Sequence, residues 1–204
     1  MSTIAAVMPT RLDTEAKRYS LREYLLKEER SKYKHEFHNG QIIKSKSLNF
    51  RHNEIAANIG SALKIATKSL SKKYRVISSD QKIFIPQVSK ILYADALVIC
   101  EEPELWEDRE DLLLNPLIIV EVASKSTRNY DKGEKFMHYR HIPSFMEYIL
   151  VEQDEPLIES WFRAKPKTWE VTEATDLKQS LLLQSIGVSI ALEDVYENID
   201  FIKK

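Results

Sequence analysis

Residues 115–127 read NPLIIVEVASKST, and one feature there limits the fold more than any other: Leu117, Ile118, Ile119, Val120 and Val122 run together with Glu121 set among them. Runs rich in β-branched residues form strands. An ionised carboxylate buried in such a strand without partners costs several kcal/mol or more, so Glu121 calls for a compensating cation or proton.

A second run, ILYADALVIC (91–100), carries Asp95 in the same way. Strand residues alternate faces, so Tyr93, Asp95 and Leu97 are expected on one side, and likewise Ile119, Glu121 and Ala123. A single acid in a strand ordinarily sits at a solvated edge or pairs with an arginine. If the two strands are neighbours, both carboxylates can point to one place, where both stay ionised only if a cation lies between them. Otherwise one takes a proton. A hard divalent ion with oxygen ligands, Mg²⁺ above all, meets that need.

Around this pair the chain alternates recognisable elements. TEAKRYSLREYLLKEER (14–30) is rich in helix formers. Asn39-Gly40 between two β-compatible runs predicts a hairpin, because that pair accepts the positive φ angles of a tight turn. Residues 52–70 place Ile55, Ile59, Leu63, Ala66 and Leu70 at helical steps, with His52 or Asn53 near the start. YRVIS, KIFIP, ILYADALVIC, LIIVEVA, MEYILVE, LIESWFR and KTWEVTE read as strands, interrupted by one helix from about Tyr130 to His141. VSIALEDVYENI closes the pattern with a short strand and a terminal helix. The expectation is one α/β (α+β) domain over residues 1–204, with a mixed central β-sheet flanked by helices.

Bulk properties remove several function classes. With 30 Lys and Arg against 31 Asp and Glu, the net charge is −1, so any nucleic-acid contact must be local. KSKS (44–47), KSLSKKYR (68–75) and RAKPK (163–167) are the basic runs available, each ordinarily a solvated surface. The single cysteine, Cys100, excludes an internal disulfide and a Cys-rich zinc site, and reads as a small buried hydrophobe. The N-terminal stretch lacks a basic region and is too short and interrupted for a signal peptide or membrane span, so a cytoplasmic protein without a membrane partner is expected.

The order of YKHEFHNGQII, RHNEIAANI, YADALVI, PLIIVEVASKST, YDKGEKFMHYRHIPSFMEYILVE and LIESWFR, over about residues 20–165, resembles the bacterial restriction endonuclease-like family of the PD-(D/E)xK nuclease superfamily. That resemblance implies a Mg²⁺- or Mn²⁺-dependent endonuclease acting on DNA. Asp95 and Glu121 would match its metal-binding acids and Lys135 its catalytic lysine, moved onto a helix. Glu36 looks like an additional acid of the site, and His52 like a recurrent helix-start histidine that reaches a phosphate or caps its helix.

The sequence departs from the family pattern at three places. Ala94 replaces the usual proline, Ala123 stands where a lysine is expected two residues after the glutamate, and Lys125 stands where relatives tend to carry proline. Lys125 and Lys135 therefore compete for one role. Asp131, Lys135 and Tyr139 recur every four residues and share a helix face, which favours Lys135. Ala123 also leaves open an inactive nuclease-fold module that binds nucleic acid or a protein partner. A homodimer is compatible with cutting two antiparallel strands.

Overall fold

A computed structural model describes residues 17–45, 48–107 and 109–201. The chain forms α1 (Leu21–Glu28), β1 (His35–His38), β2 (Gln41–Lys44), α2 (Phe50–Thr67), β3 (Tyr74–Ser78), β4 (Lys82–Ile85), β5 (Lys90–Tyr93) and β6 (Ala96–Cys100). Then follow β7 (Leu105–Trp106), β8 (Arg109–Leu113), β9 (Ile118–Ala123) and a helical run made of α3 (Arg128–Tyr130), a π turn (Asp131–Lys135) and α4 (Phe136–Tyr139). The last elements are β10 (Glu147–Glu152), β11 (Ile158–Lys165), β12 (Thr168–Ala174), β13 (Ser180–Leu183), β14 (Val188–Ala191) and α5 (Leu192–Val195).

The expected mixed sheet flanked by helices is present, and a second sheet of equal size accompanies it. One six-stranded sheet has the order β2-β1-β5-β4-β8-β7, the other β12-β11-β10-β9-β6-β3, and β13 pairs with β14 alone. Both large sheets are mixed, since β4 runs parallel to β8 and β9 parallel to β10. A parallel pair needs a long crossover, and the helical run 128–139 lies in the one between β9 and β10.

ILYADALVIC is not one strand. The chain leaves the first sheet after Tyr93 and enters the second at Ala96, so Ala94 and Asp95 lie between the sheets and belong to neither. β9 is buried along its whole length. Ile118, Val120 and Val122 pack with Ile55, Ile59 and Leu63 of α2 on one face. Ile119 and Ala123 face a cluster with Phe136, Tyr139 and Ile83, Ile85 and Leu92 of the first sheet. Each fully buried Ile or Leu contributes about 1.5–3 kcal/mol, so β9 is the fixed reference of the molecule.

Local chemistry sets the boundaries. The helix read over 14–30 is shorter: residues 14–16 lie outside the described residues, and Ser20 starts α1 by accepting from the Glu23 N–H (3.2 Å) while Glu23 accepts from the Ser20 N–H (2.7 Å). α2 begins at Phe50 because Asn49 Oδ1 accepts from the His52 N–H (2.9 Å), so Asn49 caps it rather than His52 or Asn53. The Asn39-Gly40 hairpin forms as expected, with φ of 44° and 94°. Cys100 is half-buried at the end of β6 rather than fully enclosed. Trp161 and Trp169 pack edge-on against Phe136, at 4.7 and 4.9 Å between ring centroids.

Glu147, fully buried in β10, shows how this fold can bury an acid without a cation. It accepts from Ser160 Oγ (2.6 Å), the Gln184 N–H (3.0 Å), the Ser185 N–H (3.0 Å) and Ser185 Oγ (2.6 Å). Among the described residues no helix is long and apolar enough to cross a membrane.

Candidate active site

Asp95 occupies the break between β5 and β6, and that break frees its side chain to replace a backbone partner. The Val122 N–H of β9 donates to Asp95 Oδ2 (2.7 Å), and the Asp95 N–H donates to the Val120 carbonyl (3.0 Å). His52, buried in the first turn of α2, bonds through Nε2 to Asp95 Oδ1 (2.9 Å). The ring therefore positions Asp95 instead of reaching out to a phosphate. Burial alone would raise the Asp95 carboxyl, but the His52 bond and charge, the Lys135 charge and the Val122 N–H hold it below its ordinary value.

Glu121 projects from β9 toward the helical run. Lys135 Nζ donates to its Oε2 (2.7 Å) and the Tyr139 hydroxyl to its Oε1 (2.9 Å). Asp131 Oδ1 lies 4.0 Å from the same ammonium. The three residues read as one helix face are all buried and gathered here, the first two through a π turn. Ala123, fully buried on the same face of β9, belongs to one core cluster with Phe136 and Tyr139 of the helical run, and Lys135 delivers its cation from that run.

Burial, then the charges of Asp95 and Asp131, push the Glu121 carboxyl well above its ordinary range despite the attraction of Lys135. Burial would lower Lys135, but Glu121, Glu36, Asp131 and Asp95 outweigh it and hold the group as an ammonium. Lys125 sits exposed in the turn after β9 and lines an adjoining cleft with Asn49 and Asp154, which shares His52 and Thr127 with the site cavity but none of its acids. Of the two competing lysines, only Lys135 is brought to the acids.

The sequence reading missed the partners of Glu36. Tyr130 donates its hydroxyl to Glu36 Oε2 (2.7 Å), His38 Nε2 meets the same oxygen (2.8 Å), and Lys90 Nζ lies 2.8 Å from His38 Nδ1. One signal was available: Glu36 and His38 are two apart in a strand and so share a face.

Glu36, Asp95, Glu121, Asp131 and Lys135 line one cavity of about 320 Å³, with Lys34 and Lys44 also in its wall. β1 brings Glu36 from one sheet and β9 brings Glu121 from the other, so the cavity sits at their seam. With Glu134, five carboxylates line it against three ammonium groups, and of these charged groups Glu36, Glu121, Asp131 and Lys135 are buried. Among the described residues no three His, Cys, Asp or Glu side chains are grouped to hold an ion by themselves. Mg²⁺ does not need such a cage, because it is commonly held by one or two carboxylates with waters and substrate phosphate completing its shell. Asp95 and Glu121 supply donors of that kind and number.

Of the basic runs, KSKS reaches the cavity through Lys44, and the other two lie elsewhere. Lys68, Lys72, Lys73 and Arg75 line an open cleft at the far end of α2, about 27 Å along that helix from its start. There Lys73 and Arg75 both bind Glu102. Arg163 donates to the Arg140 carbonyl (3.0 Å) and stacks on Trp169, and residues 46–47 of KSKS lie outside the described residues.

Comparison with known proteins agrees with this architecture. The family model described as "Uma2: Putative restriction endonuclease" matches residues 21–193. The uncharacterized protein sll1609 of Synechocystis sp. is 32% identical over 151 residues, covering 74% of this chain and 84% of its own length. A second uncharacterized protein of that organism, slr1290, is 30% identical over 183 residues, covering 88% and 92%. A crystal structure described as "a putative nuclease belonging to DUF820", from Anabaena variabilis, superimposes with a TM-score of 0.68 over 87% of this chain and 97% of that one. At 16% identity the likeness is one of fold.

Proposed function

The chain belongs to the Uma2 family, described as "Putative restriction endonuclease", and from that premise we propose that it is a Mg²⁺- or Mn²⁺-dependent endonuclease that hydrolyses DNA phosphodiester bonds. The observation that carries this reading is the charge count in the seam cavity. Five carboxylates (Glu36, Asp95, Glu121, Asp131 and Glu134) line it against three ammonium groups (Lys34, Lys44 and Lys135), an excess of negative charge that a divalent cation offsets.

Asp95 and Glu121 would hold the ion, which would lower the pKa of a bound water and neutralise charge developing on the phosphoryl oxygens. The protein's own groups have separate tasks. His52 and the Val122 N–H fix Asp95 in its orientation and keep it ionised. Tyr139 anchors one oxygen of Glu121. The Lys135 ammonium, buried and preorganised, stabilises negative charge on a phosphoryl group entering the cavity. Lys34 and Lys44 at the wall attract the strand by its backbone charge.

The test has two parts. Mg²⁺ or Mn²⁺ should raise the Tm of the wild type relative to EDTA, by a free energy of about 2.7 kcal/mol at a hundredfold excess over Kd. Asp95→Asn and Glu121→Gln should each abolish the gain. Supercoiled DNA should then be nicked by the wild type and by Lys125→Ala, but not by Lys135→Ala. A Tm indifferent to divalent ions would overturn the metal assignment.

A second reading has one specific support: Lys135 already sits 2.7 Å from Glu121, so the acid is engaged by a protein cation. A fold of this kind that binds nucleic acid or a protein partner without cutting would show DNA retention with no nicking under any divalent ion.

A further inference from the structure

We propose that His38 and Lys90 are positioning residues of this site, aiming Glu36 as the proton acceptor for the attacking water. The inference rests on the nuclease reading and assigns work to three residues that it leaves idle. Their geometry fixes a tautomer. Lys90 Nζ lies 2.8 Å from His38 Nδ1, and an ammonium can only donate, so Nδ1 is the acceptor. The neutral ring then carries its proton on Nε2, which faces Glu36 Oε2 at 2.8 Å. Tyr130 donates to the same oxygen from the opposite element, the helical run (2.7 Å). Both bonds fall on Oε2, so neither occupies Oε1 of this cavity-lining carboxylate.

The alternatives for proton acceptance are weaker. Lys135 is held protonated by four carboxylates. Glu121 accepts from Lys135 and Tyr139 and Asp95 bonds His52 and Val122, and the capacity left on both would be turned to the ion. Burial works against an ionised Glu36, but the His38 bond, the Lys135 charge and the Tyr130 bond together hold it below its ordinary value. The groups facing His38 are Glu36, Lys90 and, edge-on with ring centroids 6.1 Å apart, His138. Burial lowers Lys90, while Glu134 and Glu36 pull it back up. In the step itself the water oxygen forms the new bond to phosphorus as its proton passes to Glu36. The bond from phosphorus to the leaving oxygen breaks, and that oxygen takes a proton from solvent.

The test uses the full chain. Imidazole nitrogen NMR, with His38 assigned by its loss in His38→Gln, should show a neutral ring protonated at Nε2, and Lys90→Met should mix the two tautomers. In supercoiled-DNA nicking with Mg²⁺, His38→Phe should lower kcat by about tenfold or more, part of the roughly 100-fold or greater contribution of a general base, with KM little changed. His38→Gln keeps an N–H donor near the same position and should recover part of the loss. The Mg²⁺-induced Tm shift should persist in all three variants, because Asp95 and Glu121 are untouched. An Nδ1–H tautomer, or a wild-type kcat in His38→Phe, would overturn the positioning role and leave the nuclease reading standing. A wild type that cuts no DNA would sink the nuclease reading, and the acceptor role of Glu36 with it.

Discussion

Lys135 shows how much one residue can hold. Its ammonium faces Glu121 at 2.7 Å and Asp131 at 4.0 Å, and it is 7% exposed. Lys135→Met would strand those acids, and breaking a buried pair from one side costs about 3–5 kcal/mol. Urea denaturation at pH 7 should register that loss, and adding Glu121→Gln should recover part of it, since the buried charge disappears as well. His138 supplies a separate pH effect. Burial, then the charge of Lys90, draws its pKa from 6.5 down to about 4. The unfolded chain therefore binds the proton first, so this contribution is intact above 6.5 and stability falls as pH drops from there toward about 4. Thermal melts across that window should show a shallower fall in His138→Asn. Asp95 and Glu121 were legible in the sequence because an acid inside an apolar strand run breaks a local rule, and Lys135 because it shares a helix face with Asp131 and Tyr139. Lys90 was not, because nothing local distinguishes a surface lysine from one bonded to a histidine 52 positions away.

At the scale of elements, patterns survive where a single stretch contains its own cause. The Asn39-Gly40 turn and the apolar face of α2 are of this kind. ILYADALVIC was read as one strand because its periodicity continues through Asp95, and only the presence of two sheets explains the break. β7 and β8 were missed: two residues are too few for a period, and Arg109, Glu110 and Asp111 make β8 look like a loop. The helical run 128–139 depends on its outer side as well. Arg128 pairs with Glu152 (2.8 Å), while Glu159 takes both Lys132 (2.5 Å) and Trp161 Nε1 (3.0 Å). These bonds tie the carrier of Lys135 to β10 and β11. Glu159→Ala should therefore speed amide hydrogen exchange across 128–139 more than across α2.

In the whole molecule, the seam between two sheets is the unit of organisation. β1 contributes Glu36, the crossing chain contributes Asp95, and β9 contributes Glu121. The family and the mixed α+β class were readable from the order of short signatures, whereas the pairing of two six-stranded sheets depends on contacts between distant strands. A consequence follows from Glu147, the acid wrapped by two serines and two backbone amides. It is as deeply enclosed as Glu121, yet its partners are all neutral dipoles. Glu147→Gln should weaken the β10–β13 corner, leave the divalent-ion response of the melt intact and spare DNA nicking. The chain thus carries its own internal standard: one enclosed acid whose removal reports only on folding, set against another whose removal should also silence the ion.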